Sequence, residues 1–303
     1  MLYKIVCLTK RNCLIFLKDK GAVFFSLLSM IIVLILMGVF LGGMNVDSVT
    51  TILSEYGINR DAAADKENAT HLVQYWTLAG LMVVNALTVT LAVIGSVVTD
   101  KLSDKWKSLA TSPVNHLTIA ISYILAAVMI GFLFCVLTFA CYMIYIYISG
   151  GQLLSIQAFI KVMGYTLLNV GVFAIIMYFV ALWVKSQNAW GGIATVVGTL
   201  VGFLGAIYVP VGALPKTVSM VLKYIPILHQ TSLMRKIMCE EALVNTFAGM
   251  PIEALTVYRE EMGIDILMNE KLITDEMQLF LIGTCGMMAL VLAVVSSRAS
   301  RIR

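Results

Sequence analysis

The long apolar runs of this chain carry no ionisable residue near the middle of any of them. A charge at mid-bilayer costs about 2.5–3.5 kcal/mol on insertion scales, and ion-driven carriers accept that cost at a coupling site. A conduit driven by an ion gradient is therefore disfavoured, and no internal repeat speaks for one either. A G-x-x-x-x-G-K-[ST] loop is also missing, so the chain brings no phosphate cradle of its own. Its three histidines, His71, His116 and His229, are far apart, and no H-E-x-x-H or paired-carboxylate arrangement falls within an apolar run. A membrane enzyme would have to hide its catalytic set in the acidic stretch Glu253–Asp265, which reads as solvated helix. The six cysteines are scattered and follow neither a disulfide framework nor a metal spacing. After the first apolar run there is no A-x-A type cleavage site, so that run is expected to be retained.

What is present is hydrophobic residue, 60% of the chain against 13% charged, the balance of an integral membrane protein. The apolar runs are Ala22–Met44, Val73–Thr99, Leu117–Ile148, Ala158–Val184, Trp190–Val209 and Met277–Ser297. Each reaches the roughly 20 residues needed to cross a hydrocarbon core of about 30 Å. Only helices satisfy the backbone there. The expectation is an all-α protein with six transmembrane helices in a single transmembrane domain over residues 1–303.

Basic residues set the orientation. With both termini in the cytoplasm, the inner segments hold Lys4, Lys10, Arg11, Lys18 and Lys20, then Lys101, Lys105 and Lys107, then Lys185, Arg298, Arg301 and Arg303. Only Asp19, Asp100 and Asp104 oppose them, which satisfies the positive-inside bias of short loops. Residues 1–20 form an amphipathic helix before the first span, with Lys4, Arg11 and Lys18 recurring on one face toward anionic lipid or a partner. Asn45–His71 reads as an exposed polar loop on the outside.

Leu102, Trp106 and Leu109 share one helical stripe, with Lys105 pointing elsewhere, and Ser112-Pro113 ends that short helix. Such a stripe fits a groove on another protein or lies in the lipid interface. Near the centre of the second span, Asn85 and Thr88 either hydrogen-bond between helices or line a mostly apolar path. Gly38-x-x-x-Gly42 and Gly198-x-x-x-Gly202 let helices approach closely, within the chain or against a second subunit. Pro210, Pro215 and Pro226 break the apolar part of residues 210–276 into pieces suited to a re-entrant segment or to helices on the outer surface. The charged part, Glu240–Asp275, reads as a small helical cap.

Taken together, four features resemble the membrane subunit of type-2 ATP-binding-cassette (ABC-2) exporters, in particular the drug-efflux-like branch. They are the basic start leading into Phe16-Leu17-Lys18-Asp19-Lys20; the run Lys105-Trp106-Lys107-Ser108-Leu109-Ala110-Thr111-Ser112-Pro113-Val114; Leu214-Pro215 followed by Tyr224-Ile225-Pro226; and the span count with both ends inside. The resemblance implies a coupling helix at Leu102, Lys105, Trp106, Leu109 and Pro113, with Lys4, Arg11 and Lys18 on a second contact for the ATPase or inner leaflet. It implies partners too: a second permease subunit, identical or homologous, and two ATPase subunits that bind the ATP and magnesium, while this chain binds no cofactor, metal or nucleic acid. Cargo would leave across a bacterial plasma membrane, and the aromatic- and methionine-rich spans favour an amphipathic drug-like, peptide or lipidic molecule. A non-transporting immunity or sensor subunit on the same fold, and a carrier working without an ATPase, are the competing readings.

Overall fold

The computed structural model describes residues 2–36, 42–57, 60–103, 114–268 and 271–299. Four of its helices are long and apolar enough to cross a membrane: α4 (Ala62–Lys101), α5 (His116–Ile148), α6 (Ile156–Trp183) and α12 (Asp275–Ala299). α4 and α5 run antiparallel and α4 and α6 parallel, as the hydrogen bonds between their ends require. Gln74 near the start of α4 reaches Ser149 at the end of α5, and Lys101 at the end of α4 reaches the end of α6. At the remaining two expected spans stand shorter helices, α2 (Lys20–Leu36) and α7 (Gln187–Leu204), of 17 and 18 residues. The described part of α2 stops short of the expected end at Met44. α7 ends five residues before Val209, because Ala206 takes a positive φ of 51° and turns the chain back.

The polar stretch after the first span is helical where the composition suggested a loop. α3 (Gly42–Tyr56) buries Val46, Val49 and Leu53 on one stripe, the spacing of a helix face, and packs on α4. α4 itself begins at Ala62, eleven residues ahead of the apolar run at Val73, because the Asp61 carboxylate caps it by accepting from the Ala63 N–H at 2.9 Å. Such a cap satisfies a donor that the helix start would otherwise leave free. At 40 residues, α4 spans about 60 Å, twice the hydrocarbon thickness. Its first three turns therefore lie ahead of the apolar run, and the cap gathers on them and on Trp76 just beyond.

That cap consists of α8 (Lys216–Leu222), α9 (Pro226–Met238), α10 (Glu240–Thr246), α11 (Ile252–Glu261) and a hairpin of β1 (Leu267–Met268) and β2 (Lys271–Leu272). Pro210, Pro215 and Pro226 each start a helical turn, where a fixed φ helps and the missing N–H costs nothing. α9 is no surface helix. It packs against α4, α6 and α12, and Leu228, Thr231, Ser232, Leu233 and Arg235 are all buried.

At the opposite end, α1 (Leu2–Lys18) lies along α5, from an Asn12–Ser122 contact to a Phe16–Phe134 ring pair at 6.0 Å. Its stripe against the protein is Thr9, Asn12 and Phe16, while Leu2, Tyr3, Val6 and Leu17 remain exposed. The apolar face expected of an interfacial helix is thus present, and a second, mostly polar face holds the helix to the bundle.

The packing of α3 yields a direct test. Leu53→Ala should cost about 2–5 kcal/mol, as a buried leucine truncation does, and should raise hydrogen exchange of residues 42–56 while α5 and α6 stay protected. Unchanged protection of α3 would show that the helix does not depend on its contact with α4.

Candidate functional site

Two polar clusters sit at the ends of α4, with a neutral hydrogen bond between them. At the α1 end, Asp100 is 3% exposed, in the last turn of α4. Its Oδ2 is 2.9 Å from Arg11 Nη1 of α1 and accepts from the Tyr123 hydroxyl of α5 at 2.6 Å. The Arg11 guanidinium also donates to Asn12 Oδ1 at 2.9 Å. The adjacent residue, Lys101, turns the other way and donates to the carbonyls of Ala181 and Leu182 at 3.0 and 2.7 Å, and of Val184 at 3.4 Å. A cation on these last carbonyls both satisfies them and suits the negative end of α6. Two consecutive side chains of α4 therefore hold three other helices.

In the apolar middle, the Asn85 amide donates across to Thr138 of α5, and Thr138 bonds back to Phe134 O at 2.8 Å. Thr88 bonds the Val84 carbonyl of its own helix. Asn85 thus takes the interhelical role, at 3% exposure.

At the cap end, the Arg235 guanidinium lies 4.0 Å from the ring centroid of Trp76 on α4. Its Nη2 donates to Ala206 O at 2.8 Å and its Nη1 to Met262 O at 3.0 Å. Trp76 Nε1 donates to the same Met262 carbonyl at 2.8 Å. One fully buried cation thereby joins the turn after α7, the loop after α11 and the face of α4. Arginine suits this role because its planar fork stacks on a ring while donating in plane. The cap is closed further by Arg259 and Lys236, which lie 2.6 and 3.4 Å from the Asp265 carboxylate. Arg60 ties the start of α4 to the cap through Asp65 at 2.7 Å and the Thr246 carbonyl at 3.0 Å.

The sequence-derived site residues divide accordingly. Leu102 caps the C-terminus of α4 and is exposed; Lys105, Trp106, Leu109 and Pro113 lie outside the described residues, as does Gly38. On α1, Lys4 and Lys18 are exposed, whereas Arg11 is half-buried against Asp100. Gly191, Gly192 and Gly198 have open space where a side chain would stand, but Gly202 is closed off by the Tyr208 ring. The structure brings Arg11 together with Asp100 and Tyr123; of these two, Asp100 entered the sequence reading only as topogenic charge and Tyr123 not at all. Arg235 and Trp76 were missed because a charge in a long loop carries no weight for topology. A signal did exist: Arg235 stands in a run whose neighbours, Leu233, Met234, Ile237 and Met238, are apolar.

Two outcomes follow. Arg235→Ala leaves the Ala206 carbonyl without its charged donor and Met262 O with the Trp76 donor alone, and each charged bond lost is worth about 1.5–3 kcal/mol; exchange should rise in residues 206–213 and 258–266 and remain unchanged in α5. Burial alone would raise the Asp265 carboxyl, but the Arg259 hydrogen bond and the Arg259 and Lys236 charges outweigh it and hold the group below its ordinary range. Its contribution is complete above the unfolded-chain pKa near about 4 and fades as pH falls through the lower folded value. Cap stability should therefore drop between pH 5 and strong acid by that linkage, and Asp265→Asn should be less stable at pH 7 and lose part of that acid dependence, as read by exchange of residues 252–266.

No curated protein sequence matches the chain. The profile of one family, described as ABC-2 type transporter, matches residues 3–239, a stretch that includes α1, both ends of α4 and the helix carrying Arg235. That stretch is more than half of the polypeptide, and with four apolar helices able to cross a bilayer, the chain is a multi-pass membrane protein that belongs to the ABC-2 type transporter family.

Proposed function

We propose that this protein is the membrane-spanning permease subunit of an ATP-driven exporter, moving an amphipathic drug-like, peptide or lipidic cargo out across a bacterial plasma membrane. α2 and α7 complete a set of six spans, and both termini are cytoplasmic, so the α1 end is the inner end and the cap is outside. Two such subunits pair, identical or homologous, and each docks one ATPase subunit that holds the ATP and magnesium. The docking surface is the segment after α4, with Leu102, Lys105, Trp106, Leu109 and Pro113, together with the basic side of α1, with Lys4, Lys18 and the neighbourhood of Arg11. The stretch from Pro210 through Pro215 to Pro226 is the re-entrant turn that seats α9 among the spans.

The observation that carries this reading is the inner end of the bundle. There α1 is fastened by Arg11 to Asp100, only two residues before Leu102, where the segment containing Lys105 and Trp106 begins. The chain thus enters the first element assigned to ATPase contact close to where the second, α1, is fastened. The open face of α7 around Gly191, Gly192 and Gly198 supports pairing with a second subunit, since small residues let helices in lipid approach closely. The spans carry no ionisable group at their centres, so energy has to enter from a partner.

Trp106→Ala and Leu109→Ala should leave the protein in the membrane and abolish stimulation of the co-purified ATPase, together with export. ATPase stimulation equal to that of the parent protein in both variants would refute this docking. Reconstituted alone in vesicles, the protein should move no solute uphill.

A further inference from the structure

A carboxylate at the last turn of a helix opposes the negative end of the helix dipole, and Asp100 is in addition almost wholly buried. Nothing in the local preferences of α4 asks for it. Lys101, one residue on, has the sign that the helix end favours. A tie needed only to hold the fold would be served as well by apolar side chains of similar volume, because replacing a buried ion pair in that way is often neutral or stabilising. Positions that break local rules while being fully partnered are where function is to be sought.

The partners of Asp100 show what it joins. Arg11 comes from α1, at 2.9 Å, and the Tyr123 hydroxyl from α5, at 2.6 Å. Asn12, beside Arg11, contacts Ser122, beside Tyr123, at 3.4 Å, so the α1–α5 contact is fixed in register on both sides of the carboxylate. Through Lys101 the same helical turn grips the carbonyl end of α6. α4 then ends at Leu102, and the chain passes directly into the segment assigned above to ATPase docking.

We propose that Asp100 is the positioning residue through which displacement of the docking segment reaches the bundle. The inference rests on the permease reading. A movement of that segment pulls on the last turn of α4, and Asp100 converts the pull into a coupled shift of α1 and α5 in place of slippage of one helix past another. A charged hydrogen-bonded pair suits such a relay, because it is either made or broken, whereas apolar side chains slide over one another with little change in contact. Asp100 touches neither nucleotide nor cargo. Its effect is on how faithfully the two ends of the machine move together.

The experiment compares the parent protein, Asp100→Asn, and the charge exchange Arg11→Asp with Asp100→Arg, each in lipid nanodiscs. Asp100→Asn keeps the size and an acceptor for Tyr123 but removes the charge. In the chain alone, hydrogen exchange of α1 should rise at least tenfold in Asp100→Asn, with α6 protected as before, and return to within threefold of the parent in the charge exchange. Unaltered exchange of α1 in Asp100→Asn would overturn the proposal. In the complex with the co-purified ATPase, trapping with ATP and vanadate should change exchange in residues 206–238 of the parent protein. Asp100→Asn should trap the same amount of nucleotide yet lose that distant change, and the charge exchange should recover it. A distant change of parental size in Asp100→Asn would equally overturn the relay. If even the parent protein recruits no ATPase, or shows no response to trapping, the permease reading fails, and the relay fails with it, whereas the tether measured in the chain alone stands or falls separately.

Discussion

Hydrocarbon offers neither water nor counter-ions, and the architecture is built around the one helix that meets this constraint most completely. In its most apolar stretch α4 is 78% buried by protein, against 22% for α12. Helices α1, α2, α3, α5, α6, α7, α9 and α10 all contact it. It is the post on which the others lean. Its own backbone is satisfied internally, and the polar groups it offers to neighbours are met where they stand: Asn85 by Thr138, Asp100 by Arg11 and Tyr123, Asp65 by Arg60. An ionised group without such a partner would cost several kcal/mol after relaxation, so the charges gather at the two ends and the middle is left neutral.

The two ends solve the same problem in different ways. At the α1 end a carboxylate and an ammonium group, adjacent in the chain, face opposite neighbours and find a guanidinium and helix-end carbonyls. At the cap end a guanidinium is held by backbone carbonyls and an aromatic face. Among the described residues its Nε has no partner, nor have Nδ1 of His229, both amide atoms of Gln230 and the hydroxyl of Tyr258. Buried polar groups in native proteins are nearly always paired.

The apolar periodicity made the membrane helices legible, because a run free of charge has no other stable form in lipid. Helix ends were less legible. α4 starts at Ala62, eleven residues ahead of Val73, since a cap and a buried stripe on α3 extend a helix well into polar sequence. α7 stops at Leu204 because the chain must turn to let α9 into the bundle, and the residue taking the left-handed conformation is Ala206, for which composition gives no warning. The pairing of Arg11 with Asp100 spans 89 positions of chain. Charge counting assigned both to the same side of the membrane, but a count carries no geometry. The apolar neighbours of Arg235 marked it as unusual, but its partner, the ring of Trp76, is far away in sequence and hidden for the same reason.

The two clusters are not independent, because they share a rod. Trp76 and Asp100 are 24 residues apart on one uninterrupted helix, about 36 Å at the α-helical rise. An α-helix without proline or a bulge transmits displacement along its axis with little bending. Whatever moves Asp100 therefore moves the ring on which Arg235 rests, and with it the turn at Ala206 and the loop at Met262. Because the middle of the rod carries only neutral, short-range hydrogen bonds, no fixed charge in the apolar layer opposes a small axial or rotational shift. A membrane helix that is to shift as one piece is served by this combination: firm polar grips at both of its ends, and an uncharged shaft between them.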